Sequence, residues 1–305
     1  MANIDSSIKK QLSSEIEKEL TNMVSIMAPK SVKPQEPDYI AALTCNFPNA
    51  LKKILTNNIT NLDFRVCGCF IHQKPLAEFI DSKFSDMPSP EIGDLLIVYK
   101  EIDGKDEIYN ALLLQAKVIK SNSAKTADAL HQLVLYTQWP HFKYKRAGHL
   151  NGEERDIYPK TIHSGAQYLL INNGRGKTSF GCATANKSLN VSLSFAEQLI
   201  RLIEFQAGGT FVSNKERIID DWSKMIWDLL EISKDSKFNR KRSGFSEEPR
   251  ADSDLIDEFM KLMSDDSKED EEEAKERKEE NEGCGISIIL IKGELNGINK
   301  NKQNL

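Results

Sequence analysis

Gly93-Asp94-Leu95-Leu96-Ile97-Val98-Tyr99-Lys100 and Leu112-Leu113-Leu114-Gln115-Ala116-Lys117-Val118 are the two stretches on which the fold of this chain turns. Both are rich in aliphatic and β-branched residues and predict strands over Asp94 to Tyr99 and Ala111 to Val118. The polar step Glu101-Ile102-Asp103-Gly104-Lys105-Asp106 between them carries an Asp-Gly pair, which predicts a hairpin. Residues two apart on a strand share a face, so Gln115 and Lys117 project together while Ala116 turns away and offers only its backbone carbonyl. Antiparallel pairing then brings this pair near Asp94. A lysine among apolar neighbours is costly unless something offsets its desolvation, and a metal site can do that.

Working outward, Phe64 to His72 also reads as a strand, Gln167 to Asn172 as a short buried strand and Thr178 to Thr184 as an edge strand. Ile8, Leu12, Ile16, Leu20, Met23 and Met27 recur at helical spacing across Ile4 to Met27, predicting an amphipathic helix. The prolines at 29, 34 and 37 break it. Asp38 is a candidate cap for a second helix over Tyr39 to Leu55, with a kink at Pro48. Further helices are expected over Thr126 to Trp139, Ser194 to Glu204 and Asp220 to Ile232. The order helix, three strands, helix, strand predicts an α/β fold in which helices cover a mixed central sheet.

Residues 1–33 are expected to form the N-terminal helix and linker, and 34–233 the main domain. Residues 234–305 read as a charged segment, largely flexible apart from a short helix at Asp254 to Met263, and ending in the strand-like run GISIILIKGE. Net charge is -5, which at first argues against a polyanionic partner. Its location reverses that inference. Between Asp265 and Glu282 stand eleven Asp or Glu and four Lys or Arg, a local charge of -7, so the remainder sums to +2. Such fields are local and screened over about 8 to 10 Å.

The N-terminus has no apolar leader and the longest apolar run, Ile286 to Ile291, is far short of the roughly 20 residues of a membrane span. A soluble, cytoplasmic chain with no membrane partner is expected. The five cysteines have no metal-binding spacing and read as reduced thiols.

Phosphodiester hydrolysis needs a metal to stabilise developing negative charge and acidify the attacking water. Magnesium suits such a site because it takes oxygen ligands and needs only one or two protein carboxylates. Asp94, Gln115 and Lys117 supply a carboxylate, a second oxygen ligand and a cation. This pattern resembles the PD-(D/E)xK phosphodiesterases, in which an acidic residue begins the second core strand and a (D/E)xK or QxK pair lies on the third. The QAK form looks like the Mrr-type restriction enzymes. Gln132-Leu133-Val134-Leu135-Tyr136 is similar to the QxxxY motif of RecB-like members, its two polar residues one helical turn apart. The similarity covers roughly residues 36 to 172 and implies a restriction-endonuclease-like core.

By this resemblance Asp94, Gln115 and the Ala116 carbonyl hold Mg2+ or Mn2+, with Glu36 on the first core helix as a helper. Lys117 orients and polarises the water, and Gln132 and Tyr136 position the substrate strand or the second strand of the site. DNA is the implied substrate, in bacterial defence against foreign DNA. An RNA-cleaving toxin or effector uses the same chemistry, and a catalytically degenerate nucleic-acid-binding module is the alternative of another class. A homo-oligomer and an activating protein partner are both compatible with the pattern. Two features depart from it: Gly93 rather than proline precedes Asp94, and neutral Gln115 removes one negative charge from the metal cage.

Other motifs are less specific. His72 reads as a strand-end residue, and the remaining histidines form no metal-spaced cluster. Gly174-Arg175-Gly176-Lys177-Thr178 lacks the first glycine of a phosphate loop, since Ile171 stands there, and reads as a plain hairpin turn, with a turn contacting phosphate backbone as the alternative. Trp139, His141, Phe142, Lys143, Tyr144, Lys145 and Arg146 mix aromatic and basic side chains, which suits either base stacking with phosphate neutralisation or a partly buried helix end.

Overall fold

The computed structural model describes residues 4–27, 34–71, 75–121, 123–125, 129–174, 177–212, 218–234 and 285–296. Chain order begins with helices α1 (Ser6–Met27), α2 (Glu36–Cys45) and α3 (Phe47–Asn58), then strands β1 (Leu62–Cys69), β2 (Leu76–Phe79), β3 (Leu95–Asp103), β4 (Asp106–Ile119) and β5 (Ser123–Lys125). Helix α4 (Leu130–Gln138) precedes β6 (Phe142–Lys145), β7 (Glu154–Arg155), β8 (Ala166–Asn172), β9 (Ser179–Thr184), β10 (Ser188–Asn190) and β11 (Leu193–Ser194). Helix α5 (Phe195–Ile203), β12 (Gly209–Phe211), α6 (Asp221–Lys234) and β13 (Ser287–Leu295) complete it.

The architecture is mixed α/β. The main sheet runs β1-β13-β3-β4-β8-β9-β11, with β12 also paired to β4. The β3/β4 hairpin turns at Gly104, whose φ of 64° is readily adopted without a Cβ. Parallel pairing of β13 with β3 and of β4 with β8, against antiparallel pairing elsewhere, makes the sheet mixed.

The sheet is buried on both sides, which explains its continuous apolar runs. Leu95, Ile97 and Tyr99 pack with α1, α2, α3 and α5, while Leu96 and Val98 face a second core shared with α4 and α6. Helix α1 buries Leu12, Ile16, Leu20 and Met23, the stripe its spacing predicts. No helix among the described residues is long and apolar enough to cross a membrane.

The expected kinked helix over Tyr39 to Leu55 is instead two helices that meet at Asn46, with Pro48 in the first turn of α3, where its missing N–H costs nothing. Asp38 is not the cap of α2. It lies in the first turn, where its carboxylate accepts the Gln35 N–H at 2.8 Å. Helix α4 is described from Leu130 onward. The run from Gly285 enters the main sheet between β1 and β3, so the C-terminal strand is central to it. The expected segment helix at Asp254 to Met263, the acidic run, His72 and Cys284 lie outside the described residues.

Candidate active site

Strand β4 outruns β3. Leu95 pairs with Leu114, and β4 continues through Gln115 to Ile119 with only β8 beside it. Leu113 donates its N–H to the Gly165 carbonyl on the β8 side, at 2.7 Å, so the N–H groups of Ala116 and Val118 face the opposite, strand-free edge. Carboxylates take both. Asp94 Oδ2 accepts the Ala116 N–H at 2.7 Å and Glu36 Oε1 accepts that of Val118 at 2.9 Å. The two N–H groups are roughly 6 to 7 Å apart by strand geometry, and the Ala116 carbonyl points to the same edge.

Asp94 is buried, and its Oδ2 also receives the Gln115 Nε2 amide. Gln115 is buried too, and its other polar atom, Oε1, has no hydrogen-bond partner among the described residues. Two residues on, Lys117 is half-buried on the same face, with Nζ 3.3 Å from Gln132 Oε1 and 6.0 Å from the Tyr168 ring centroid. Tyr136 donates its hydroxyl to the Ile92 carbonyl at 2.8 Å, fixing the chain two residues before Asp94. Gly93 lets them approach closely, because a Cβ there would lie 2.6 Å from Leu113 Cδ1 and 3.2 Å from the Tyr136 hydroxyl and the Leu113 side chain would have to shift.

The fold thus gathers Asp94, Gln115, Ala116, Lys117, Gln132 and Glu36 at one end of the sheet. Tyr136 reaches the loop before Asp94. Among the described residues no group of three or more His, Cys, Asp or Glu is arranged to hold a metal, so a cation here would rest on one or two carboxylates with amide and carbonyl oxygens.

Three further residues border the site. Burial and the charge of Lys117 hold the His131 imidazole below its usual pKa, with Glu91 opposing them. Tyr168 on β8 stands in register with Gln115. His131 and Tyr168 carry no sequence signal, because they reach the site through helix docking and strand register, while Glu91 stands three residues before Asp94 in the chain.

The aromatic and basic segment after α4 is a buried strand with its surroundings. Trp139, Phe142 and Tyr144 are buried, so their rings offer no stacking face; Trp139 is the buried C-cap of α4, as a helix end here predicts, and β6 follows it. Lys143 and Lys145 pair with Glu78 at 3.1 and 2.6 Å, and His141 lies 2.9 Å from Glu154. Cys45, Cys67, Cys69 and Cys182 are free thiols, and burial pushes Cys45 up to about 12 and Cys69 to about 11. Clefts of about 570 and 440 Å³ flank α1, against β9 and α5, and none of Asp94, Gln115 and Lys117 lines either. In the GRGKT turn, Arg175 and Gly176 lie outside the described residues.

No protein-family model, curated protein or solved structure matches this chain.

Proposed function

We propose that this chain is a divalent-metal-dependent nuclease of the PD-(D/E)xK type that hydrolyses DNA in the cytoplasm, in bacterial defence against foreign DNA. The observation that supports this most is the buried, unpartnered Gln115 Oε1 beside the Asp94 carboxylate, on the face where Gln132 holds Lys117. A buried acceptor without a donor is uncommon, and a ligand is one explanation for it.

The donor set fits a hard cation that takes oxygen ligands. Asp94, the Gln115 amide oxygen and the Ala116 carbonyl would hold Mg2+ or Mn2+, with Glu36 further along the edge. Joint ligation with Asp94 requires the amide to turn Oε1 toward it, a half-rotation about a soft terminal torsion. When bound, the ion supplies Lewis acidity at the phosphate and acidifies the attacking water. Lys117 contributes a fixed positive charge to the scissile phosphate or the water, and Gln132 restrains its flexible stem. Tyr136 keeps Asp94 in place through Ile92.

One observation favours a second reading, a nucleic-acid-binding module without catalysis: the Gln115 amide already satisfies the Asp94 carboxylate without a metal. Incubating the purified protein with plasmid, linear DNA and RNA in magnesium, manganese or EDTA separates the two. Asp94→Asn, which keeps an acceptor for the Ala116 N–H, should lose metal binding. Lys117→Ala should keep metal binding and lose turnover by about 10² to 10³. Either folded variant retaining full cleavage, or a wild type inert on every substrate, overturns the proposal.

A further inference from the structure

We infer that Tyr168 is a further catalytic residue of this site, its phenol hydroxyl donating a hydrogen bond to the substrate phosphate beside Lys117. The inference rests on the nuclease proposal and adds to it a residue that no motif marks.

Position comes first. Strand β8 runs parallel to β4 with Tyr168 in register with Gln115, and Leu170 with Lys117. The Tyr168 ring lies on the face that Gln115 and Lys117 share, 6.0 Å from Lys117 Nζ and 5.7 Å from the ring centroid of Tyr136. That face also carries Gln132, so the Tyr168 ring joins the side chains that surround the ammonium group.

Energetics points the same way. The Tyr168 hydroxyl is fully buried and has no hydrogen-bond partner among the described residues. Leaving such a group unpaired is costly, a penalty that phenylalanine would avoid while filling the same space. Gln115 Oε1 is likewise buried and unpartnered. Two orphaned polar atoms on register-paired residues beside one lysine leave both a donor and an acceptor to be matched by something the described residues do not supply.

Chemistry then selects the partner. A phenol is protonated at neutral pH and acts there as a donor. The non-bridging oxygens of a phosphodiester are anionic acceptors, and charge gathers on them as the attacking water bonds to phosphorus. A neutral donor and an ammonium group on adjacent strands suit that charge better than it suits an uncharged ligand.

Tyr168→Phe tests this, because it keeps the ring, its packing on Tyr136 and its approach to Lys117 while removing one oxygen. Melting temperature should hold or rise. Turnover on DNA should fall at least about tenfold with KM changed much less, the split expected of a contact strongest in the transition state. Replacing the scissile phosphate by a phosphorothioate should slow the wild type more than the variant. Unchanged kcat in the variant overturns this inference alone, leaving Tyr168 a packing residue. A marked fall in melting temperature overturns it too, by showing that the hydroxyl holds the fold. Absence of cleavage by the wild type removes the nuclease proposal and this inference together.

Discussion

At position 115 the choice of an amide has a direct electrostatic consequence. Gln115 Nε2 donates to the Asp94 carboxylate, a charge-assisted contact in a buried setting. Glutamate there would press two carboxylates together, and one of them would have to take up a proton or be neutralised by a cation. Gln115→Glu should therefore melt lower than the wild type in EDTA, by an amount on the order of 1 to 3 kcal/mol. Magnesium or manganese should restore it, and half-maximal cleavage should need less metal. If cleavage is abolished while the protein stays folded and cations fail to stabilise it, Gln115 acts as a donor to substrate and is no ligand. Asp94, Gln115 and Lys117 were legible as a group because a period of two and one Asp-Gly turn suffice to bring them together. Tyr168 was not, since it depends on the parallel register of β4 with β8, a pairing between residues about 50 positions apart in sequence.

Elements with a local signature were legible too: α1 and α5 through apolar residues at helical spacing, β3, β4 and β8 through continuous apolar runs. The strands β2, β5, β6, β7, β10 and β12 were not, because they are two to four residues long and exist through pairing with distant partners. The strand-free edge of β4 is likewise invisible in sequence, yet it defines the role of Glu36. Two functions compete there: capping the Val118 N–H, as observed at 2.9 Å, and supplying a second carboxylate to a cation. Glu36→Gln retains an acceptor and removes the charge, so it separates them. The variant should melt within about 1 kcal/mol of the wild type, the usual worth of one hydrogen bond. Its cleavage should need several-fold more manganese. Metal dependence identical to the wild type, measured across a manganese titration, would reduce Glu36 to a strand cap.

The whole molecule is closed by its last strand. Ile288 and Leu290 of β13 enter one core and Ile289 and Ile291 the other, while its backbone pairs with β1 and β3. Composition identified GISIILIKGE as a strand, but its place between β1 and β3 depends on contacts spanning most of the chain. Deleting residues 285–305 should leave the protein unable to fold. The intervening 235–284 is a different case, because the described residues on either side of it meet: Ser233 Oγ accepts the Ile286 N–H at 3.0 Å while donating to the Leu229 carbonyl of its own helix at 2.6 Å. Ser287 pairs with Leu95, next to Asp94, so both junctions lie toward the end of the sheet that carries the site. A linker of about six residues can join them. By the logarithmic dependence of closure entropy on loop length, replacing 50 residues with six should stabilise the fold by about 2 kcal/mol. The exchange also removes the charge of -7 between Asp265 and Glu282, and an acidic segment tethered to a phosphate-binding surface competes with DNA intramolecularly. DNA affinity should therefore rise at low salt and converge with that of the full chain as ionic strength increases. A shortened protein that melts higher but binds DNA with the same affinity and salt dependence would show that the acidic run restrains nothing. One that melts lower would show that 235–284 contributes contacts to the fold.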